Sequence, residues 1–280
     1  MNIGAEKRKD IPAPIARQLR QEAGFGCCKC GLPIIQYHHI VPWSEEQHYR
    51  AEDMMVLCPT HHDQVTKGAM PVHEQRELKS TPYNIARGRA QGDLMVVQDY
   101  CAADLGTVTV VGEGPFLRIH GIDILSLYLG AKNLGISLKL FSETNDLLLQ
   151  IERNVWVSGD PMPWDIQADW QKLTLRQRAR KISISLDAKQ KPPRIEGEFW
   201  YSNQKITIDK EKILIHGRTA IGLAHLALVG AGIDVDLERT AISTGGAIIA
   251  WGNRRERLWR ARDHWKKMQA GREGKASPAE

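Results

Sequence analysis

Cys27-Cys28-Lys29-Cys30-Gly31, then Tyr37-His38-His39-Ile40-Val41-Pro42, then Leu57-Cys58-Pro59-Thr60-His61-His62, are the runs from which the fold of this chain can be read. Cys27 and Cys30 stand at the separation at which one tight turn directs two thiolates at a single ion, and Gly31 relieves the backbone just past them. Cys58 and His61 repeat that separation. Together the four form the donor set of a tetrahedral structural zinc site, whose ion would tie together the ends of a short hairpin and helix. A segment this short has little core of its own and gains much of its stability from such a tie. Cys28 is the alternative first ligand, but it leaves a single residue before Cys30, so Cys27 is preferred. Cys101 has no partner in the pattern and reads as a small core residue.

With those four assigned, His38, His39 and His62 remain beside the site. A purely structural finger has no use for them. His39 precedes Ile40-Val41-Pro42, which reads as the end of a strand turning into a loop. Successive strand residues face opposite sides, so His38 and His39 share one pocket only where the strand ends or twists. One can then hold a metal while the other handles a water. His48 and His73 fit no such place and read as surface residues.

These runs, with Asp53-Met54-Met55-Val56 leading into Leu57-Cys58, resemble the HNH nuclease family, whose ββα-metal fold cuts nucleic acid with one divalent ion. The resemblance covers residues 1–92. It implies that His39 is the general base activating water, and that His38 and His62 hold the catalytic ion, magnesium or another divalent metal. Asp53 stands where the family has its middle Asn. That residue braces the loop carrying the base, which an Asp can do by accepting hydrogen bonds. Its charge could instead orient His39, and both roles stay open. Thr66 occupies a place where some relatives have a further His or Asn ligand, and Lys67 is a candidate phosphate contact. In such a site the ion stabilises charge developing on the phosphoryl and leaving oxygens, and a neutral imidazole near pH 7 suits the base. The implied activity is hydrolysis of phosphodiester bonds in DNA, double-stranded in the first instance, with restriction or anti-phage defence suggested by analogy. The alternative is a zinc-stabilised nucleic-acid-binding or scaffold protein without catalysis.

The chain of 280 residues has a formal charge of +5, too mild by itself to name a polyanionic partner. Placement says more. Arg176, Arg178, Arg180 and Lys181 form one basic run, and Arg254, Arg255, Arg257, Arg260, Arg262, Lys266 and Lys267 another. Arg254, Arg257 and Arg260 are the candidates for phosphate contact, set against the reading of a solvated face. The opening residues lack an apolar signal core. The apolar stretch 220–233 is interrupted by His225 and is shorter than the roughly 18 residues of a membrane helix. With zinc-type cysteines, a reduced cytoplasm and no membrane contact are expected.

The length allows two domains. A helix is predicted over 11–23, started by Pro12 or Pro14, carrying Ile15, Leu19 and Ala23 on one face and ended by Gly24. A second short helix is predicted over 72–78, and 82–92 reads as a connector. Beyond it, 107–111, 136–140, 182–186, 206–208, 213–215 and 233–237 are short β-branched or alternating runs between turn residues. Ile182-Ser-Ile184-Ser-Leu186 predicts one wet and one buried face. Trp156, Trp164, Trp170 and Trp200 read as core rather than as a ligand cage, and Asp146, Asp160, Asp165 and Asp169 as turn caps. Trp251, Leu258 and Trp265, at seven-residue intervals with Ala261 and Met268 beside them, predict an apolar stripe on a basic helix. Residues 271–280 read as a flexible tail. The expected fold class is α+β: a zinc-braced ββα-metal module (1–92), a β-rich sensor or assembly domain (93–250), and a terminal basic helix with its tail (251–280). Whether 93–250 serves a homo-oligomer, an activating ligand or a partner protein is left open.

Overall fold

A computed structural model describes residues 10–130, 133–160, 162–210, 212–215, 218–221, 226–235, 240–242 and 246–273. The chain is mixed α+β, strand-rich with few helices, and divides into two compact units, Met1–Ala90 and Gln91–Glu280.

In the first unit, α1 (Ala13–Glu22) starts behind Pro12 and buries Leu19. Gly24, at φ 63°, reverses the chain so that the Phe25 N–H reaches the Arg20 carbonyl at 2.7 Å. That left-handed residue is what closes the helix. The antiparallel pair β1 (Gln36–His39) and β2 (Met54–Leu57) sets Gln36 opposite Leu57 and His39 opposite Met54. All four β2 residues are buried against α1 and Val65, so this strand is the floor of the unit. Pro59, whose missing N–H is no loss in a first turn, opens α2 (Pro59–Thr66). The order is therefore strand, strand, helix. α3 (Val72–Ser80) is tied to α1 by Lys79 and Glu22 at 2.8 Å and to the cysteine turn by Lys29 and Glu74 at 3.1 Å.

The 82–92 segment is not a plain connector. It contains α4 (Tyr83–Arg87), whose buried Asn84 donates from Nδ2 to the carbonyls of Gly24 (2.9 Å) and Gly31 (3.1 Å). Gly31 sits at φ 76°, and a Cβ there would lie 2.3 Å from Asn84 Oδ1, so only glycine allows the clamp. The end of the segment belongs to the second unit, because Gln91–Asp93 is a strand paired with Val155–Val157.

The second unit is built around two antiparallel meanders. One runs from Gly114–Ile119 to Val155–Ser158 and the other from Asp165–Ala168 to Arg218–Ile221, each strand pairing with the next. Parallel pairings join distant strands: Ala102–Leu105 with Arg194–Tyr201, Val108–Val111 with Ala227–Val229, and Gly114–Ile119 with Ile233–Val235. The predicted strand 233–237 is described only to Val235. Alternation holds at Ile184 and Leu186 but fails at Ile182, which is exposed, while Ser183 is fully buried. The cause is a bulge: the partner strand passes from Ile184 directly to Ile182 and skips Ser183. Trp156 is core as expected, whereas Trp170 is half exposed. Asp165, read as a turn cap, instead lies buried within a strand, 3.7 Å from Arg176.

The terminal helix α5 (Arg254–Glu273) is part of this unit rather than a separate segment. Leu258, Ala261, Trp265 and Met268 pack on Ala102, Val111, Ala227 and Val229. Trp265 fits because Gly112 and Gly230 lack side chains: a Cβ at either would come within 2.9 or 3.0 Å of its ring. Trp251 precedes the helix and is 64% exposed, so the apolar stripe starts at Leu258. Residues 271–273 are helical, not tail, and 274–280 lie outside the described residues. No helix among the described residues is long and apolar enough to cross a membrane.

Candidate functional site

Cys27, Cys30, Cys58 and His61 come together as a cluster that can bind a metal such as zinc, all four ligand atoms lying within 4.8 Å of one another. His61 Nδ1 is 3.3 Å from both Cys27 Sγ and Cys58 Sγ, and Cys30 Sγ is 3.9 Å from Cys58 Sγ. A tetrahedral zinc with Zn–S near 2.3 Å and Zn–N near 2.0 Å sets its ligands about 3.5–3.8 Å apart, and these separations fall just below and just above that range. The turn itself is closed by the Gly31 N–H donating to the Cys27 carbonyl at 2.8 Å. Burial pushes the Cys27 thiol up to about 12 and raises Cys30 as well, so thiolates are stable here only against a cation. Burial, aided by Lys29, holds His61 below its ordinary value, toward the neutral form that ligates. Cys28 is buried outside the cluster.

One residue further along α2 the chemistry changes. Consecutive helix positions differ by about 100°, so His61 turns to the cysteines while His62 faces β1. The rings of His62 and His38 stand edge to face, 5.4 Å between centroids. His38, His39 and His62 all line one open cavity of about 590 Å³, together with Trp43, Thr66 and Gln75. His38 and His39 share it because β1 ends at His39.

His39 is 6% exposed and sits among Trp43, His48 and Tyr49, with ring centroids 5.3, 5.0 and 6.2 Å away. Its Nε2 lies 3.0 Å from the His48 carbonyl. A carbonyl only accepts, so Nε2 carries the proton and Nδ1 is the basic nitrogen of the neutral ring. His48 is not a surface residue: it is 6% exposed and works as the internal strut of the loop. Its Nε2 donates to the Val41 carbonyl at 3.1 Å, and its Nδ1 accepts the Arg50 N–H at 3.2 Å. Both ends of the loop are thereby held on one imidazole.

Asp53 meets two arginines. Its carboxylate accepts from Arg76 at 2.6 Å and from the Arg50 Nε at 2.8 Å, and Arg50 also holds Glu46. The Arg76 and Arg50 hydrogen bonds keep the Asp53 carboxyl below its usual range. Asp53 reaches the His39 end of β1 through its backbone, the carbonyl accepting the Ile40 N–H at 2.8 Å. This chain of charges pins α3 to the loop.

The chain has no match among protein-family models, curated proteins or solved structures.

The other candidates are engaged within the chain. Thr66 donates to the His62 carbonyl at 2.8 Å, and exposed Lys67 pairs with Asp63 at 2.8 Å. Arg254 pairs with buried Asp104, Arg257 donates to the Gly252 carbonyl, and Arg260 stacks on Trp251 at 3.7 Å. Sequence reasoning missed Gln75, which is 5% exposed, lines the histidine cavity and donates to the Met70 carbonyl at 2.9 Å. Its buried Oε1 has no hydrogen-bond partner among the described residues. A glutamine in a charged helix carries no signal of such a place.

Proposed function

We propose that the N-terminal unit is a metal-dependent endonuclease of the HNH type, hydrolysing phosphodiester bonds in DNA around a structural zinc. The convergence of His38, His39 and His62 on one open cavity of a strand–strand–helix frame, next to the Cys27, Cys30, Cys58 and His61 cluster, supports this reading. His39, held in one tautomer by the His48 carbonyl, takes the proton of the attacking water at Nδ1. His38 and His62 hold the divalent ion, which when bound supplies Lewis-acid stabilisation of phosphoryl charge. Two imidazoles suit cobalt, nickel or zinc better than magnesium, which prefers oxygen ligands, and manganese lies between them. The second unit regulates or assembles the nuclease, and restriction or anti-phage defence in a reduced cytoplasm is the setting consistent with that arrangement.

Nicking of supercoiled plasmid tests the proposal. With manganese and, more weakly, magnesium, the full chain should convert supercoiled plasmid to open circles, and chelation should stop it. His39→Ala should lose about 10²–10⁴ in rate while keeping its zinc content, melting temperature and DNA affinity. A folded, zinc-loaded protein that cuts neither duplex nor single-stranded DNA with any of these ions would leave the non-catalytic, zinc-stabilised binding protein as the reading.

A further inference from the structure

A cavity of about 370 Å³ in the second unit is lined by Asp104, Thr109, Arg194, Lys210, Arg254 and Arg257 among others. Arg254 and Arg257 leave the first turn of α5, Arg194 opens the strand Arg194–Tyr201, and Lys210 follows the strand Gln204–Ile208. Four cations from three elements thus meet one carboxylate. That carboxylate is committed internally: Asp104 is 2% exposed, accepts the Thr109 hydroxyl at 2.7 Å on one oxygen, and pairs with Arg254 on the other. It fixes Arg254 in place and leaves the charge of Lys210 and Arg257 in excess, with Arg194 facing Glu196 at 3.7 Å.

The frame is rigid. Asn253 Oδ1 accepts the Glu256 N–H at 3.0 Å and Glu256 Oε2 accepts the Asn253 N–H at 3.1 Å, a capping box that sets the first turn of α5. Gly106, at φ 61°, packs so close to the turn holding Lys210 that a Cβ would lie 2.0 Å from the Asp209 carbonyl oxygen. Arg194 is only loosely held: Glu196 stands 3.7 Å from its NH1, beyond hydrogen-bond reach, which leaves its outer guanidinium nitrogens for an oxyanion, the acceptor that guanidiniums match best.

We infer that this cavity binds a small phosphate-bearing molecule, its oxygens held by Arg194, Arg257 and Lys210. A concave pocket of this size takes a small ligand, whereas a duplex backbone is followed by an extended basic stripe. The site does not depend on the nuclease reading.

The test is calorimetric titration of the full chain with inorganic phosphate and inorganic pyrophosphate at fixed ionic strength without added divalent ions. Saturable single-site binding is expected, tighter for pyrophosphate. Arg194→Gln and Arg257→Gln should each weaken it about tenfold or more, the loss of a charge-assisted hydrogen bond. Arg194→Lys, which keeps the charge but not the planar fork, should weaken it less. His39→Ala should bind as the parent does, and so should Lys267→Gln, whose residue pairs with Asp263 and does not line the cavity. Arg254 is left intact because its loss would strand the buried Asp104. Absence of saturation, or unchanged affinity in both Gln variants, overturns the inference. So does displacement of pyrophosphate by a short DNA duplex at equal phosphate concentration, which would assign the cavity to nucleic-acid backbone.

Discussion

The cysteine cluster and the histidine cavity share α2 and are one residue apart on it, yet they are built on opposite principles. At the cluster, three sulfurs and the His61 nitrogen crowd within 4.8 Å, where a single ion could satisfy them all. At the cavity, His62 and His38 are spaced ring to ring at 5.4 Å, with His39 beside them on an open space of about 590 Å³. A closed donor set stabilises a fold, while an open one leaves positions for water and substrate. If the open site carries the proposed chemistry, stability and rate should be separable by substitution even where the residues are neighbours in sequence.

The largest effect should come from breaking the closed site. Structural zinc in small modules contributes on the order of 10 kcal/mol, more than a unit with this modest core can lose. Cys30→Ser should therefore release the metal to a colorimetric chelator and unfold residues 10–90, seen as loss of the near-ultraviolet signal of Trp43 and Tyr49, while the β signal of the second unit persists. A Cys30→Ser protein with full metal content and an unchanged melt would remove the zinc assignment and with it one side of the comparison.

A smaller effect is expected from the strut of the open site. His48→Ala leaves the Val41 carbonyl and the Arg50 N–H without their partner, a loss of about 1–3 kcal/mol in the first unit. Because the His48 carbonyl also orients His39, the nicking rate should drop by about 10²-fold, the penalty of a base displaced by around 1 Å. His48→Gln, whose amide offers a donating NH₂ and an accepting oxygen, should recover part of both. Retained activity with lowered stability would show that the loop holds the base without this imidazole.

How much of this was legible follows from what each residue needed. The cluster was readable because ligand spacing is a local property of the chain, and the same holds for α1, whose prolines and Gly24 punctuate it. His48 was not, since its burial depends on how residues 40–50 fold back over His39, and a lone histidine in a polar loop reads as exposed. The connector reading failed at Asn84 because that side chain bonds carbonyls more than fifty positions away. In the second unit the short strands could be located, but their parallel pairings join segments far apart in sequence, and no turn residue announces them. Ile182 shows the limit most clearly: its alternation was right, and a bulge at Ser183 in its own strand reversed its face. The terminal helix was legible as a stripe, but the glycines that seat Trp265 lie on other strands.

The smallest effect is expected at Asp53, where the open site meets its scaffold. Its carboxylate faces Arg76 and Arg50, and only its backbone carbonyl reaches Ile40. Asp53→Asn keeps that carbonyl and one acceptor oxygen, so the nicking rate should stay within about tenfold of the parent and the acidic limb of its pH profile should not move. Stability should respond instead. The folded carboxyl is held below its ordinary value, so it stabilises the fold at neutral pH, and this contribution fades once pH falls below the unfolded value near about 3.9 and on through the folded one. The parent and Asp53→Asn should accordingly differ in melting temperature at pH 7 and converge at acid pH, with the neutral-pH gap narrowed by salt because the pair is partly exposed. A loss of several orders of magnitude in rate with melting unchanged would mean that the charge acts on His39, and the division between the stabilising and the reactive site would have to be redrawn through Asp53.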